Sequence, residues 1–119
     1  MSSSPRFGFV VEYVKDIEVS KQFYVDVMGL QIQRSHSTYV QFDSFAIASD
    51  TSMDGESKQE LFWIIDNAQI AFDHLSTCSD ICLNLKQLPF GKVFGIRDKD
   101  GYPRYLLELA KNRPSQQVL

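Results

Sequence analysis

The sequence predicts an α+β domain built from two tandem βαβββ halves, and three observations predict it. Phe7–Val14 and Leu61–Ile65 are unbroken apolar runs rich in β-branched and aromatic residues, the composition of buried strands. Each run is followed by a helix-capping residue, Asp16 in the first case and Asp66 or Asn67 in the second, and then by apolar residues at helical spacing. Each helix precedes three short strand-like segments, so one order of elements is written twice, over about 6–50 and about 59–110.

In the first half, Val19, Phe23, Tyr24, Val27 and Met28 recur at helical spacing after Asp16, and Gly29 supplies the stop. Strands are expected at Gln31–Arg34, Tyr39–Phe42 and Phe45–Ala48, with Asp43-Ser44 turning between the last two. Residues 51–58 contain Asp54-Gly55 and lack periodicity, which makes them the joining loop. In the second half, Ile70, Ala71, His74 and Leu75 are expected to share the buried face of a short helix. Strands come next at Ile81–Leu85, Lys92–Ile96 and Arg104–Leu109, with a Lys99-Asp100-Gly101 turn before the last. A shift of 51 lays Ile17 on Ala68, Val19 on Ile70 and Phe23 on His74, a repeat of pattern rather than of identity. The polar tail 111–119, with Pro114, is expected to fray.

The composition narrows the function classes. At 119 residues, 44% hydrophobic and 23% charged, the chain is one globular domain's worth. A formal charge of −3 without a basic stripe argues against nucleic acid. No apolar run approaches the roughly 18 residues that span a bilayer, and the N-terminus lacks the basic and apolar regions of a signal peptide, so a cytoplasmic protein is expected. Cys78 and Cys82 are then two reduced thiols, with no further Cys or His near them at ligand spacing.

Two phrases carry a family resemblance. The first is Val14-Lys15-Asp16 through Ser20, Phe23-Tyr24 and Gly29-Leu30; the second is Pro89-Phe90-Gly91 through Asp98-Lys99-Asp100-Gly101-Tyr102, with Lys99 where proline is usual. Together with Glu108 they resemble the signature of the vicinal-oxygen-chelate superfamily, which includes glyoxalases, extradiol dioxygenases and bleomycin-resistance proteins. The resemblance covers nearly the whole chain. It implies two curved mixed sheets around a cleft, closed within one chain or between two, and a homodimer. It also implies where a metal would be held. The first ligand position, seven before Asp16, is Phe9; the second is Glu60, or Gln59 if Asp66 rather than Asn67 is the cap; the last, four past Gly101, is Tyr105. Glu108 cannot replace Tyr105, because three positions along a strand reverse the face. A divalent site wants about three protein ligands, so no metal and no cofactor is expected.

The same resemblance assigns the cleft-facing residues: Phe9, Val11 and Tyr13 from the first strand, Glu60, Phe62 and Ile64 from its mate, and Tyr105 and Leu107 from the last. Phe42, Phe45 and Phe94 lie on strands that could contribute, and Trp63 would join only if the register slipped by one. Such an aromatic cup with one carboxylate suits a small aromatic or cationic molecule. Metal-independent binding, with sequestration as in the bleomycin-resistance branch, is the favoured reading. Two alternatives stand beside it: a superfamily enzyme of lyase, isomerase or dioxygenase type on an unorthodox site, with Glu60 as base or His36 recruiting a metal, and a dimeric interaction module whose cleft has filled. The plain reading of His74 is a packing histidine, and of His36 a solvated one.

Overall fold

A computed structural model describes residues 4–110, and the expected tail 111–119 lies outside the described residues. The chain divides into two compact units, Gly8–Phe62 and a second that joins Met1–Phe7 to Trp63–Leu119. The elements run β1 (Arg6–Tyr13), α1 (Ile17–Gln22), a π-helical turn (Phe23–Val27), β2 (Arg34–His36), β3 (Tyr39–Gln41), β4 (Phe45–Ala48), β5 (Gln59–Ile64), α2 (Ala68–Leu75), β6 (Ile81–Leu88), β7 (Gly91–Arg97) and β8 (Pro103–Leu109). The βαβββ order therefore appears twice. No helix among the described residues is long and apolar enough to cross a membrane.

In the first unit the strands lie in the order β2-β3-β4-β1-β5. β1 and β4 are parallel, with Val10 opposite Phe45 and Tyr13 opposite Ala48. β3 is antiparallel to both β4 and β2, pairing Tyr39 with Ala48 and His36, and Gln41 with Ala46 and Arg34. Side chains alternate along a strand, so this register sorts the unit into two faces. Val40, Phe42 and Ile47 pack with Ile17 of α1, joined by Val14, Tyr24, Val25, Leu30 and Phe45. That is the helix side. Tyr39, Gln41, Ala46 and Ala48 point the other way.

α1 starts where the sequence predicts, with Asp16 accepting from the amides of Glu18 and Val19. The face it buries differs from the expected one. Val19, Phe23, Val27 and Met28 are exposed, while Ile17, Tyr24 and Val25 reach the core. Val19 and Phe23 are turned to solvent by ordinary helical spacing once Ile17 is the buried residue. Val25 rather than Met28 reaches the core because of the π turn, in which the Met28 amide donates to the carbonyl of Phe23, five residues back. A wide turn rotates the residues after it relative to an unbroken α-helix. Tyr24 then reaches back to β1, where its hydroxyl donates to Glu12 Oε1 at 2.6 Å. Gly29, at φ +79°, ends the helical segment as expected. β2 begins at Arg34 rather than Gln31.

In the second unit β5, β8, β7 and β6 lie in that order, with β7 antiparallel to both β8 and β6. Asn67, not Asp66, is the cap of α2, its side chain accepting from the Ile70 amide. Starting the helix at Ala68 sets the buried stripe at Ala68, Ala71, Phe72 and Leu75, which pack on Ile65, Phe94 and Leu106. Ile70 and His74, expected on that stripe, are exposed. His74 is therefore not a packing histidine. Glu108 accepts from the Ala68 amide at 2.8 Å, fixing β8 to the start of α2.

Candidate functional site

The helix-free face of the first unit collects most of the predicted site residues. β1 places Val10, Glu12 and Val14 toward α1, which leaves Phe9, Val11 and Tyr13 on the opposite face. Phe9 stacks on Phe62 with ring centroids 5.1 Å apart and planes 15° from parallel. Tyr13 donates its hydroxyl hydrogen to Glu60 Oε1 at 2.8 Å. Glu60 and Phe62 therefore share this face, and Gln59, the alternative in the other register, is exposed. β3 and β4 complete the surface with Tyr39 and Gln41 beside Ala46 and Ala48.

The exposures separate a floor from its walls. Val11, Ala46, Ala48 and Phe62 are buried, whereas Phe9, Tyr13, Tyr39 and Gln41 are half-exposed. The Tyr39 hydroxyl donates to Gln41 Oε1 at 2.9 Å. Burial pushes the Tyr39 phenol up to about 12, against an opposing pull from the Arg34 guanidinium. Tyr39 is therefore a neutral donor across the physiological range.

Glu60 is 2% exposed. Besides the Tyr13 hydroxyl, its carboxylate takes the amide of Met53 at 3.1 Å on Oε1 and that of Asp54 at 3.4 Å on Oε2. It thus straps the loop 51–58 to β5. The loop is tied within itself as well. Asp54 accepts from Ser52, from the Glu56 amide and from both the amide and the hydroxyl of Ser57. The Ser57 hydroxyl is the main reason that the Asp54 carboxyl lies well below the usual carboxylate range.

Phe42, Phe45, Phe94 and Tyr105 sit elsewhere. Phe42 and Phe45 stack at 5.9 Å under α1, on the helix side of the same unit. Phe94 lies in the second unit, fully buried beneath α2 against Phe72. The three phenylalanines are helix-side core, because Phe45 pairs with Val10 rather than Val11, and Phe94 with Leu106 rather than Tyr105. Tyr105, also in the second unit, faces away from α2 with its ring over Gly95; a Cβ on that glycine would stand 2.9 Å from the ring and 3.0 Å from Cys82 Sγ. Tyr39, Gln41, Ala46 and Ala48 escaped the sequence reading. The signal for them is in Phe45-Ala46-Ile47-Ala48, where bulky and small residues alternate and only the bulky pair can fill the space beneath a helix.

The residues at the family's three ligand positions do not fit a divalent ion, which wants about three donors. Phe9 offers no donor atom, and the oxygens of Glu60 are already engaged by three hydrogen bonds. Among the described residues no group of three His, Cys, Asp or Glu side chains could hold a metal.

Comparison with known proteins agrees with this architecture. The sequence model of the glyoxalase-like domain matches residues 7–106. No curated protein matches the chain. A structure described as NAD-dependent benzaldehyde dehydrogenase from Legionella pneumophila superposes with a TM-score of 0.69 at 20% identity, over 86% of this chain and 98% of that one. A glyoxalase/bleomycin resistance protein/dioxygenase superfamily member from Vibrio splendidus 12B01 gives 0.67 at 20% identity, over 88% and 99%. The Mn(II)-bound glyoxalase from Novosphingobium aromaticivorans gives 0.58 at 16% identity, over 91% of this chain and 40% of that one. At such identities the structures speak to the fold alone. The match over residues 7–106, on a chain that folds as two βαβββ units, places the protein in the glyoxalase-like domain family.

Proposed function

We propose that the protein binds a small aromatic or cationic molecule on the helix-free face of the first unit, without using a metal, and acts by holding that molecule rather than transforming it. The observation that carries this reading is the Phe9–Phe62 stack beside the Tyr13–Glu60 pair. A half-exposed ring backed by a buried one offers a flat apolar surface, and such surfaces favour offset stacking and attract cations to the ring face. Tyr13, Tyr39 and Gln41 supply the few polar groups that orient a ligand in a mostly apolar site.

Glu60 contributes to this reading indirectly. Its hydrogen bonds come from neutral groups, and none of the ion pairs among the described residues involves it. Its carboxyl holds the Tyr13 ring in place beside the Phe9–Phe62 stack. Calorimetric titration with planar aromatic probes tests the proposal. Binding should occur in chelator-treated buffer and weaken at least about tenfold in Phe9→Ala, the loss of one good aromatic contact. Absence of binding by every probe would refute the reading.

A further inference from the structure

The chain contains two Asp-Gly pairs, Asp54-Gly55 and Asp100-Gly101. Such a pair carries chemistry of its own. The glycine amide nitrogen attacks the aspartate Cγ and forms an N–C bond. The nitrogen loses its proton and the carboxyl its hydroxyl, so one water leaves and a succinimide ring closes. Water then adds back to a ring carbonyl. Opening at the main-chain carbonyl leaves the backbone running through Cβ, which is an isoaspartate. Water is the co-reactant, lost in the first step and regained in the second. Glycine favours ring closure because it has no Cβ to obstruct it.

The two pairs are matched at the attacking nitrogen. Gly55 and Gly101 are both exposed turn residues, at φ +78° and +89°. Each donates its amide hydrogen to the carbonyl three residues back, Gly55 to Ser52 at 3.1 Å and Gly101 to Asp98 at 3.0 Å.

They differ at the carboxyl. Asp54 Oδ1 accepts from the Ser52 hydroxyl at 3.0 Å and from the amides of Glu56 and Ser57 at 2.9 and 2.8 Å, and its Oδ2 takes the Ser57 hydroxyl. Hydrogen bonds to the charged form keep this carboxyl ionised far below the ordinary carboxylate range. An ionised carboxylate is a poor electrophile, and swinging Cγ onto the Gly55 nitrogen would break these bonds. The Asp100 carboxyl is exposed and accepts no hydrogen bond and joins no ion pair among the described residues. The turn around it is held instead by Asp98, whose Oδ1 accepts from the Asp100 and Tyr102 amides at 2.9 Å each. Those bonds anchor the main chain and leave the Asp100 side chain to rotate.

We infer that Asp100 is a site of spontaneous isomerisation to isoaspartate, and that Asp54, in the same dipeptide, is protected by the hydrogen bonds of its own loop. The added main-chain methylene would fall in the turn that joins β7 to β8, between the two amides that Asp98 holds.

The test is to age the full chain for weeks in neutral buffer at body temperature, folded and in guanidinium. Peptide mapping with an isoaspartyl methyltransferase as the labelling reagent then counts the isomer at each site. In the folded chain isoaspartate should accumulate at Asp100 at least about tenfold faster than at Asp54, the protonated fraction lost for each step of one by which a carboxyl's pKa is held down. In guanidinium the two rates should converge. Ser52→Ala combined with Ser57→Ala removes both hydroxyl donors and should raise the rate at Asp54, while Asp100→Glu should abolish the label at that position. Equal rates in the folded chain, faster ageing at Asp54, or no isoaspartate at Asp100 would overturn the assignment. A difference that persists in guanidinium would do so too, by tracing it to sequence rather than fold. An unchanged rate at Asp54 in the double variant would overturn the protection.

Discussion

Tyr13 and Glu60 lie on different strands, 47 residues apart in the chain, and are joined by a 2.8 Å hydrogen bond from the tyrosine hydroxyl to the carboxylate. The same carboxylate holds the amides of Met53 and Asp54. One buried acid thus organises β1, β5 and the loop between the repeats. It occupies a position where the family resemblance implies a metal ligand, and the loop it straps replaces the ion as the group that satisfies it.

Removing that acid should be costly. Glu60→Ala leaves a hydroxyl and two amides without their acceptor, and unsatisfied buried groups cost about 1–3 kcal/mol each before relaxation and water entry. A net loss of about 3 kcal/mol in urea unfolding is expected for Glu60→Ala. Tyr13→Phe, which removes one of the three donors, should cost about 1 kcal/mol. Proteolysis within residues 51–58 should accelerate in Glu60→Ala.

Two glycines should rank by what a methyl group would strike. At Gly91, φ +155°, an added Cβ would lie 2.1 Å from the carbonyl oxygen of Glu108, which belongs to the backbone of the paired strand. At Gly95 it would lie 2.9 Å from the Tyr105 ring and 3.0 Å from Cys82 Sγ, side-chain atoms that can shift. Gly95→Ala should therefore cost within the usual overpacking range of about 1–3 kcal/mol. Gly91→Ala should exceed it or fail to fold. Equal losses in chemical denaturation would show that β7 and β8 do not approach as described.

The helix caps offer a matched pair. Asp16 and Asn67 stand at equivalent positions, 51 apart, and each accepts backbone amide hydrogens at the start of its helix. Asp16→Ala and Asn67→Ala should each cost about 1 kcal/mol in thermal or urea unfolding. Asp66→Ala should cost far less, since Asp66 meets Arg6 at the surface and caps nothing.

Alkaline stability should report the Tyr24–Glu12 bond. Hydrogen bonding to Glu12, then burial and the charge of Glu12, push the Tyr24 phenol from its ordinary 10.0 up to about 12. The folded state keeps the proton after the unfolded chain begins to lose it. The contribution is therefore complete below pH 10 and fades as pH rises toward 12. Tyr39 is raised to about 12 as well, mainly by burial. Near-ultraviolet phenolate titration should show Tyr24 and Tyr39 among the late-titrating tyrosines, and Tyr24→Phe should remove one late transition and flatten part of the loss of stability in that window.

How much of this was legible in the sequence divides along physical lines. Strands, caps and stops were readable because they depend on local chemistry: the apolar run before Asp16, the Asn67 amide oxygen, the positive φ of Gly29. The sequence left the register open between Glu60 and Gln59, because Asp66 and Asn67 can both cap a helix; the structure decides for Asn67 and with it for Glu60. Which helix residues are buried was not readable. The π turn at Phe23–Val27 rotates the residues after its start, bringing Val25 to the core and turning Met28 to solvent, and nothing local announces it. That Phe45 lies on the helix side, away from Phe9 and Val11, was not readable for a related reason. A single-residue register between parallel strands, Val10 opposite Phe45, decides the face, and it is fixed by pairing partners distant in the chain.

The central claim is that the face built on Phe9, Tyr13 and Phe62 binds its ligand without a metal. The most direct measurement is the thermal unfolding midpoint of the full chain with a saturating planar aromatic probe, once after exhaustive chelation and once with excess Mn²⁺ or Zn²⁺. A ligand that binds only the native state must raise that midpoint. Metal-independent binding predicts the same rise in both conditions. A rise that appears only when the metal is present would contradict it.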